Sequence, residues 1–245
     1  TLFRSGEITH FLGDPIVLVA ADSKETLEKA KSLVKIEFEE LPGIFSVHDA
    51  MAENAVLVHE SVPGNLLAHE HLVRGNADEK IRNSKYVVTQ KYSTPATEHA
   101  FLEPETAVAA PEKDGVIIYS GDQGIYQTKK ECSEATGLPP EKVRVVAMMV
   151  GGGFGGKEDM SVQHHAAVLA LATQKPVKVS LARTESMLCH PKRHSFEMEF
   201  TTACDENGYL TGMKATLLAD TGAFASLGGP VLQRACTHAA GPYNY

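Results

Sequence analysis

A glycine-rich stretch near the middle of the chain has the residue types with the most potential for chemistry. Residues 151–157 read GGGFGGK, with an apolar, β-branched run before them and a helix-forming segment after them. A strand, a glycine loop and a helix in this order often bind anions, because backbone N–H groups and the helix N-terminus attract negative charge. A glycine costs roughly 0.5–1 kcal/mol relative to alanine in regular structure. Five glycines around Phe154 therefore indicate a ligand close to the backbone rather than a simple tight turn.

Part of this loop fits the phosphate-binding pattern of nucleotide-hydrolysing proteins. Gly151, Gly156 and Lys157 match the beginning of G-x-x-x-x-G-K, but Glu158 stands where a serine or threonine would bind Mg²⁺. The run 215–220, ATLLAD, could imitate a strand that ends in a magnesium-binding aspartate, but such strands are common. A P-loop-like nucleotide-binding protein therefore stays open as an alternative.

The elements around the loop predict an α+β protein with a sizeable core. At the start, residues 15–20 predict a strand, Asp22 or Ser23 caps a helix, and residues 34–41 alternate like a strand. Further strands are predicted at 85–94, 142–150 and 176–183, and a hairpin at 106–121 that turns at 113–115. Helices are predicted at 124–138, closing at Gly137, and at 159–174. More strands are predicted within 194–222, with a turn at 205–208.

Composition excludes several classes of protein. A net charge of −8 and a pI near 5.8 argue against nucleic-acid binding, which needs a basic face. The apolar runs are too short for a transmembrane helix, and the first residues do not form a signal peptide. The four cysteines form no C-x-x-C pair, which predicts reduced thiols in the cytoplasm. The chain does not begin with methionine, and we expect it to be a fragment of a longer polypeptide.

A longer stretch around the loop resembles a known family. Residues 120–158, SGDQGIYQTKKECSEATGLPPEKVRVVAMMVGGGFGGKE, are similar to the xanthine dehydrogenase and aldehyde oxidase family of molybdenum hydroxylases, most of all to xanthine dehydrogenases. The resemblance implies a small α/β hammerhead-like domain at 1–60, a connection at 61–84, and the first part of an α+β molybdopterin-binding domain at 85–245.

The resemblance also implies a cofactor site. The cofactor would be molybdopterin, bound by Gln123 and the loop residues Gly152, Gly153, Phe154, Gly155 and Gly156. In the family, the amide of such a glutamine and the backbone N–H of such a phenylalanine lie near an oxo ligand of the metal without binding the metal directly. The helix predicted to begin near residue 159 would add a favourable field for an anionic cofactor.

Two further residues point to the substrate. Glu158 matches a glutamate that faces the substrate ring in purine-oxidising members. Its structural alternative is a glutamate near a helix N-terminus, where the helix dipole stabilises negative charge. Arg234 resembles a second purine-pocket residue, and its alternative is an ordinary surface arginine. The stretch 98–105, EHAFLEPE, resembles a family segment near the active site, but Glu98 and His99 could be structural. The basic residues around 190–194 are interpreted as a solvated turn.

By this resemblance the chain is part of an enzyme that oxidises a purine such as xanthine or hypoxanthine, with water as the oxygen source. Aldehyde, nicotinate or other N-heterocycle oxidation stays open as an alternative, and so does a non-catalytic relative. The implied partners are the rest of the molybdenum subunit, and 2Fe–2S clusters and FAD on other segments or subunits of an oligomer. The general base would lie outside this sequence, so we expect the fragment alone to be inactive.

Overall fold

The computed structural model describes residues 2–4 and 8–245, and its mixed helices and sheets confirm the α+β class. The described strands are β1 (Leu2–Arg4), β2 (Val17–Val19), β3 (Tyr86–Thr94), β4 (Thr106–Glu112), β5 (Gly115–Ser120), β6 (Val143–Ala147), β7 (Val177–Ser180), β8 (Ser195–Cys204) and β9 (Leu210–Asp220). The described α-helices are α1 (Lys24–Leu33), α2 (Val47–Ala50), α3 (Ala77–Arg82), α4 (Ile125–Thr136), α5 (Gln163–Thr173), α6 (Arg183–Cys189) and α7 (Gly228–His238). Short 3-10 helices span Pro63–Asn65 and Pro140–Lys142.

The chain divides into two compact units, each made of two segments. The first unit combines Thr1–Glu39 with Glu98–Lys192, and the second combines Glu40–Thr97 with Arg193–Tyr245. Residues far apart in the sequence therefore belong to one unit, and the glycine loop lies in the first.

The first unit contains a four-stranded sheet in the order β6-β5-β4-β7. Strands β5 and β6 are parallel and are joined through α4, whereas β4 pairs antiparallel with both β5 and β7. The carboxyl ends of β5, β6 and β7 and the amino end of β4 therefore lie at one edge of the sheet. We call this the upper edge.

The core of the first unit lies between this sheet and α5. Helix α5 packs on β4, β5 and β7, and α4 packs on α5 and β6. Alanine and valine dominate the buried cluster, which also includes Cys132; small side chains on α5 let the helix approach the sheet closely. The buried members are Ala107, Ala109, Val116, Ile118, Cys132, Val143, Val162, Ala166, Ala167 and Ala170.

The second unit is built on an antiparallel sheet in the order β3-β8-β9. Helices α2, α3 and α7 pack against β9. The hairpin of β8 and β9 turns where Asp205 Oδ1 accepts hydrogen bonds from Asn207 N and Tyr209 N, and Gly208 has a φ of 86°.

Most predicted elements are confirmed, including the Ser23 cap of α1 and the left-handed Gly137 that ends α4. The strand predicted at 34–41 is wrong: the segment has no ladder partner in the described part of the chain, and Phe38 is 69% exposed. An alternating pattern specifies faces, but a strand also needs a neighbour to hydrogen-bond. The sequence patterns also do not predict four of the helices, α2, α3, α6 and α7.

Candidate functional site

The upper edge of the first unit's sheet brings together four segments that carry the candidate residues. Gln123 follows β5, and the glycine loop follows β6. The segment 98–105 leads into β4, and α6 with His190 follows β7. Because these ends share one edge, residues as far apart in the sequence as Glu98 and His190 become neighbours. Ligand sites of α/β sheets commonly lie outside the carboxyl ends of parallel strands.

Gln123 holds the glycine loop directly. Its side-chain Oε1 accepts hydrogen bonds from Gly155 N at 3.0 Å and Lys157 N at 3.3 Å. Its own backbone N–H donates to Lys157 O at 2.9 Å. A Cβ atom on Gly153 would overlap the Gln123 amide, so this glycine permits the close approach. The side-chain amide nitrogen of Gln123 donates to no residue in the described part of the chain.

Asp122, which none of the sequence motifs indicates, holds the turn between Gln123 and α4. The Asp122 side chain is 7% exposed, its Oδ1 accepts from Gly124 N at 3.0 Å, and its Oδ2 accepts from the Thr128 hydroxyl at 3.1 Å. These two bonds fix the first turn of α4. An aspartate just before a helical segment, able to accept from the backbone N–H two residues later, is a recognisable signal for such a turn.

The loop presents Phe154 to solvent in an uncommon backbone conformation. Phe154 has a φ of 53° and is 71% exposed. Its backbone N–H forms no hydrogen bond with the described residues. Gly155 has a φ of 91°, and a Cβ there would meet no atom within 4 Å, so open space borders the loop at this point. A non-glycine residue in this region costs about 1–3 kcal/mol, and such residues cluster at ligand sites.

Lys157 does not face the open side of the loop. It is 3% exposed, and its ammonium group donates to Glu103 Oε2 at 2.9 Å. A P-loop lysine reaches the terminal phosphates of a nucleotide. The buried, paired Lys157 therefore removes the main support for a P-loop.

Glu158 is exposed and forms no ion pair with the described residues. Its backbone N–H donates to Gly155 O at 3.3 Å, which places it within the loop turn. Helix α5 begins at Gln163, not near residue 159 as predicted, because the Gln163 side chain accepts from Ser161 N and Val162 N and starts the helix there. Glu158 thus precedes the helix by five positions, and the dipole explanation for it is lost.

Arg234 lies on α7 in the second unit and is exposed. Among the described residues, its guanidinium forms no ion pair. Its predicted place in a purine pocket together with Glu158 stays a prediction.

A cluster of acidic and basic side chains joins the segment 98–105 to the residues that follow α6. His190 is 2% exposed; its Nε2 lies 2.8 Å from Glu98 Oε1, and its Nδ1 lies 3.3 Å from Glu105 Oε1 and 2.5 Å from Ser186 O. The Lys192 ammonium lies 2.9 Å from Glu98 Oε2. The interpretation of residues 190–194 as a solvated turn is therefore wrong for His190, whose acidic partners lie more than 80 positions away in the sequence.

Candidate metal ligands in this cluster are Glu98, His99 and His190, whose ligand atoms lie within 4.8 Å of one another. The ammonium of Lys192 and the imidazole of His190 already contact the Glu98 carboxylate. A bound cation would be repelled by the ammonium and would compete with these contacts. We interpret the group as a polar cluster, with one ion pair between Lys192 and Glu98, that anchors segment 98–105.

Comparison with known proteins places this geometry in a family. The family described as molybdopterin cofactor-binding domain matches residues 58–245. The chain is 37% identical over 234 residues to one subunit of a probable xanthine dehydrogenase of Bacillus subtilis (strain 168), covering 95% of this chain and 31% of the relative. It is 36% identical over 232 residues to the nicotinate dehydrogenase large molybdopterin subunit of Eubacterium barkeri, covering 94% and 54%.

A solved structure agrees with these relatives. The aldehyde oxidoreductase of Desulfovibrio gigas superposes with a TM-score of 0.86 at 29% identity, covering 90% of this chain and 24% of that one. The chain thus spans between about a quarter and about half of the length of the proteins it resembles. None of the helices in the described part of the chain combines the length and apolar character needed to cross a bilayer. The chain belongs to the molybdopterin cofactor-binding domain family.

Proposed function

We propose that this chain supplies one side of the molybdenum-cofactor site in a hydroxylase that oxidises a purine such as xanthine or hypoxanthine, with water as the oxygen source. The observation that carries the proposal is the contact between Gln123 and the glycine loop. The Gln123 amide oxygen accepts from two loop N–H groups, and its amide nitrogen, which donates to no described residue, is available to donate to a ligand. An uncharged donor held rigidly at the loop suits the oxygen ligand of a metal centre.

The loop residues fit such a cofactor. Phe154 offers a backbone N–H without a partner among the described residues, and Gly155 borders open space where a Cβ would meet nothing within 4 Å. Gly152, Gly153, Phe154, Gly155 and Gly156 would contact the pterin, and Gln123 would donate toward an oxygen ligand of the metal. When bound, the cofactor supplies the redox chemistry; the residues of this chain bind and orient it.

The substrate class is proposed from Glu158 and Arg234. Glu158 is exposed beside the loop and forms no ion pair with described residues, so its carboxylate is available to accept hydrogen bonds from a ring N–H. A guanidinium such as that of Arg234 stabilises negative charge that develops on a heterocycle. The relatives at 36–37% identity are named for xanthine and nicotinate, both N-heterocycles. Nicotinate or an aldehyde is the alternative substrate.

The test uses the complete protein purified from its source. Elemental analysis should find molybdenum in stoichiometric amount, and the protein should oxidise xanthine. Glu158→Gln should lower kcat/KM for xanthine about 10- to 150-fold, because a hydrogen bond to a charged group contributes about 1.5–3 kcal/mol. Activity on an aldehyde should fall much less. Glu141→Gln, an exposed glutamate on the 3-10 helix before β6, is the matched control and should keep wild-type rates.

The outcomes separate the alternatives. Unchanged xanthine oxidation by Glu158→Gln would remove the purine assignment. Folded protein without molybdenum would favour a non-catalytic relative. Binding of ATP with Mg²⁺ that is lost in Lys157→Ala would restore the nucleotide-binding alternative.

The same proposal assigns partners and a compartment. The four cysteines are free, and none provides the grouped thiolates of an iron–sulfur cluster. We therefore place 2Fe–2S clusters and FAD on other segments or subunits, which form an oligomer with the rest of the molybdenum subunit. Free thiols also support a reducing compartment such as the cytoplasm.

A further inference from the structure

A single carboxylate joins both ends of the glycine loop. Glu103 Oε2 accepts from Gly151 N at 2.8 Å, at the start of the loop, and from Lys157 Nζ at 2.9 Å, at its end. The backbone N–H of Glu103 also donates to Gly151 O at 3.1 Å. The loop is thereby closed by contacts to one residue outside it.

Burial makes the Lys157 contact essential to the loop. The Lys157 side chain is 3% exposed, and its ammonium lies 4.6 Å from the centroid of the fully buried Phe101 ring. Glu103 is 43% exposed, but Lys157 is buried, so removing the carboxylate would leave the buried ammonium without its anionic partner and destabilise the loop. The aromatic face offers partial compensation, but Glu103 is the carboxylate that pairs with this ammonium in the described structure.

The segment that carries Glu103 is itself fixed on both sides. Phe101 is buried against His190, with ring centroids 4.9 Å apart, and Glu105 O accepts from Leu181 N at 3.0 Å where β4 begins. A Cβ on Gly151 would lie 2.5 Å from the Glu103 Cβ, so the two backbones touch. Glu103 therefore transmits the position of a rigid segment to the loop.

We propose that Glu103 is a positioning residue that holds the glycine loop, through Gly151 and Lys157, in the geometry that receives the molybdenum cofactor. The cofactor part of this inference rests on the proposed function; the contact with the loop does not. The hydrogen bond from Gly151 N, followed by that from Lys157, lowers the pKa of the Glu103 carboxyl below its usual value. The carboxylate therefore stays ionised near neutral pH and keeps the buried ammonium paired.

The experiment compares Glu103→Gln with two other variants of the complete protein. Glu103→Gln keeps the shape of the side chain but removes its charge. The double variant Glu103→Gln with Lys157→Met removes both charges and places a thioether against the Phe101 ring, so no buried ammonium is left without a counter-charge. Glu112→Gln is the matched control, because Glu112 forms an exposed pair with Arg144 on the same sheet.

Two quantities are measured: hydrogen exchange of the loop amides at 151–158 in cofactor-free protein, and molybdenum content of protein purified natively. We expect Glu103→Gln to accelerate loop exchange about 10- to 100-fold, as for loss of a charge-assisted contact, and to lower molybdenum content several-fold. The double variant should have loop exchange and molybdenum content close to those of the wild type. Glu112→Gln should change neither the exchange rate nor the molybdenum content.

The results separate this inference from the proposed function. Loop exchange in Glu103→Gln at the control rate would overturn the positioning role, and so would accelerated exchange with wild-type molybdenum content. The positioning role would also be overturned if the double variant showed the same faster loop exchange and the same lower molybdenum content as Glu103→Gln. The unpaired charge would then not be the cause of the change. A wild-type protein that contains no molybdenum contradicts the proposed function, whereas the exchange measurement would still decide whether Glu103 holds the loop.

Discussion

Gly153→Ala is the substitution for which the structure gives the sharpest expectation. Gly153 is buried, and a Cβ on it would overlap the Gln123 amide oxygen and lie 2.7 Å from the amide carbon. The φ of Gly153 lies outside the left-handed region, so alanine strains no backbone here. The three nearest atoms to the added methyl all belong to Gln123, which must move.

The expected magnitude follows from the contacts that Gln123 would lose. Its Oε1 accepts from Gly155 N and Lys157 N, and a typical hydrogen bond contributes about 0.5–1.5 kcal/mol. Loss of both destabilises the closed loop by about 1–3 kcal/mol, which corresponds to roughly 5- to 140-fold faster amide exchange. Hydrogen exchange with mass spectrometry on loop peptides of the complete protein measures this change.

Two comparisons make the test specific to Gln123. Gly155→Ala adds a methyl that meets no atom within 4 Å, so it strains the backbone at a φ of 91° without displacing Gln123. It should change loop opening only through that strain, about 1–2 kcal/mol. In a Gln123→Ala background the methyl added at position 153 has room, so Gly153→Ala should hardly change the free energy of loop opening. The coupling energy between the two positions should therefore be about 1–3 kcal/mol. Equal effects of Gly153→Ala with and without the Gln123 side chain would refute the reasoning.

Two further predictions concern the frame of the site. Asp122→Ala removes the acceptor for Gly124 N and the Thr128 hydroxyl and should destabilise the first turn of α4 by about 1–3 kcal/mol. Hydrogen exchange of the amides in that turn measures the change. Asp122→Asn should destabilise the turn less, and equal exchange in both variants would contradict this role. Burial lowers the pKa of His164 to about 3 and of His165 to about 4, so both stay neutral in the fold. Protonation then favours the unfolded chain, so stability should be full above about pH 6.5 and fall as the pH drops toward 4. A melting temperature that does not decline over this pH range would contradict the assignment. So would a His164→Phe variant whose melting temperature depends on pH as steeply as that of the wild type.

Local sequence signals predicted the elements that local interactions determine. The hairpin of β4 and β5, the left-handed Gly137 at the end of α4 and the turn at 205–208 all depend on residues close together in the sequence. The family resemblance supplied Gln123 and the glycine loop as one unit, and the structure joins them by hydrogen bonds.

The errors arose where distant residues decide the structure. Residues 34–41 alternate in hydrophobicity but meet no partner strand among the described residues. At the start of α5, the Gln163 side chain donates to Ser120 Oγ, which lies 43 positions earlier in the sequence. The basic residues that follow His190 in the sequence predict a solvated turn, whereas Glu98 and Glu105 approach His190 from another segment. No window of sequence contains such a contact.

The direction of Lys157 explains how one pattern of residues serves two kinds of loop. In a P-loop the lysine supplies positive charge to phosphates; here its ammonium lies between Glu103 and the Phe101 ring, so its charge serves the internal frame of the loop. In the proposed site, a ligand on the open side would therefore meet backbone N–H groups, an exposed aromatic ring and the uncharged amide of Gln123. Recognition by neutral donors depends on geometry more than on charge, because such donors are short-ranged and directional. A site of this kind needs a rigid loop, and the contacts from Gln123 and Glu103 provide the rigidity that five glycines alone would deny it.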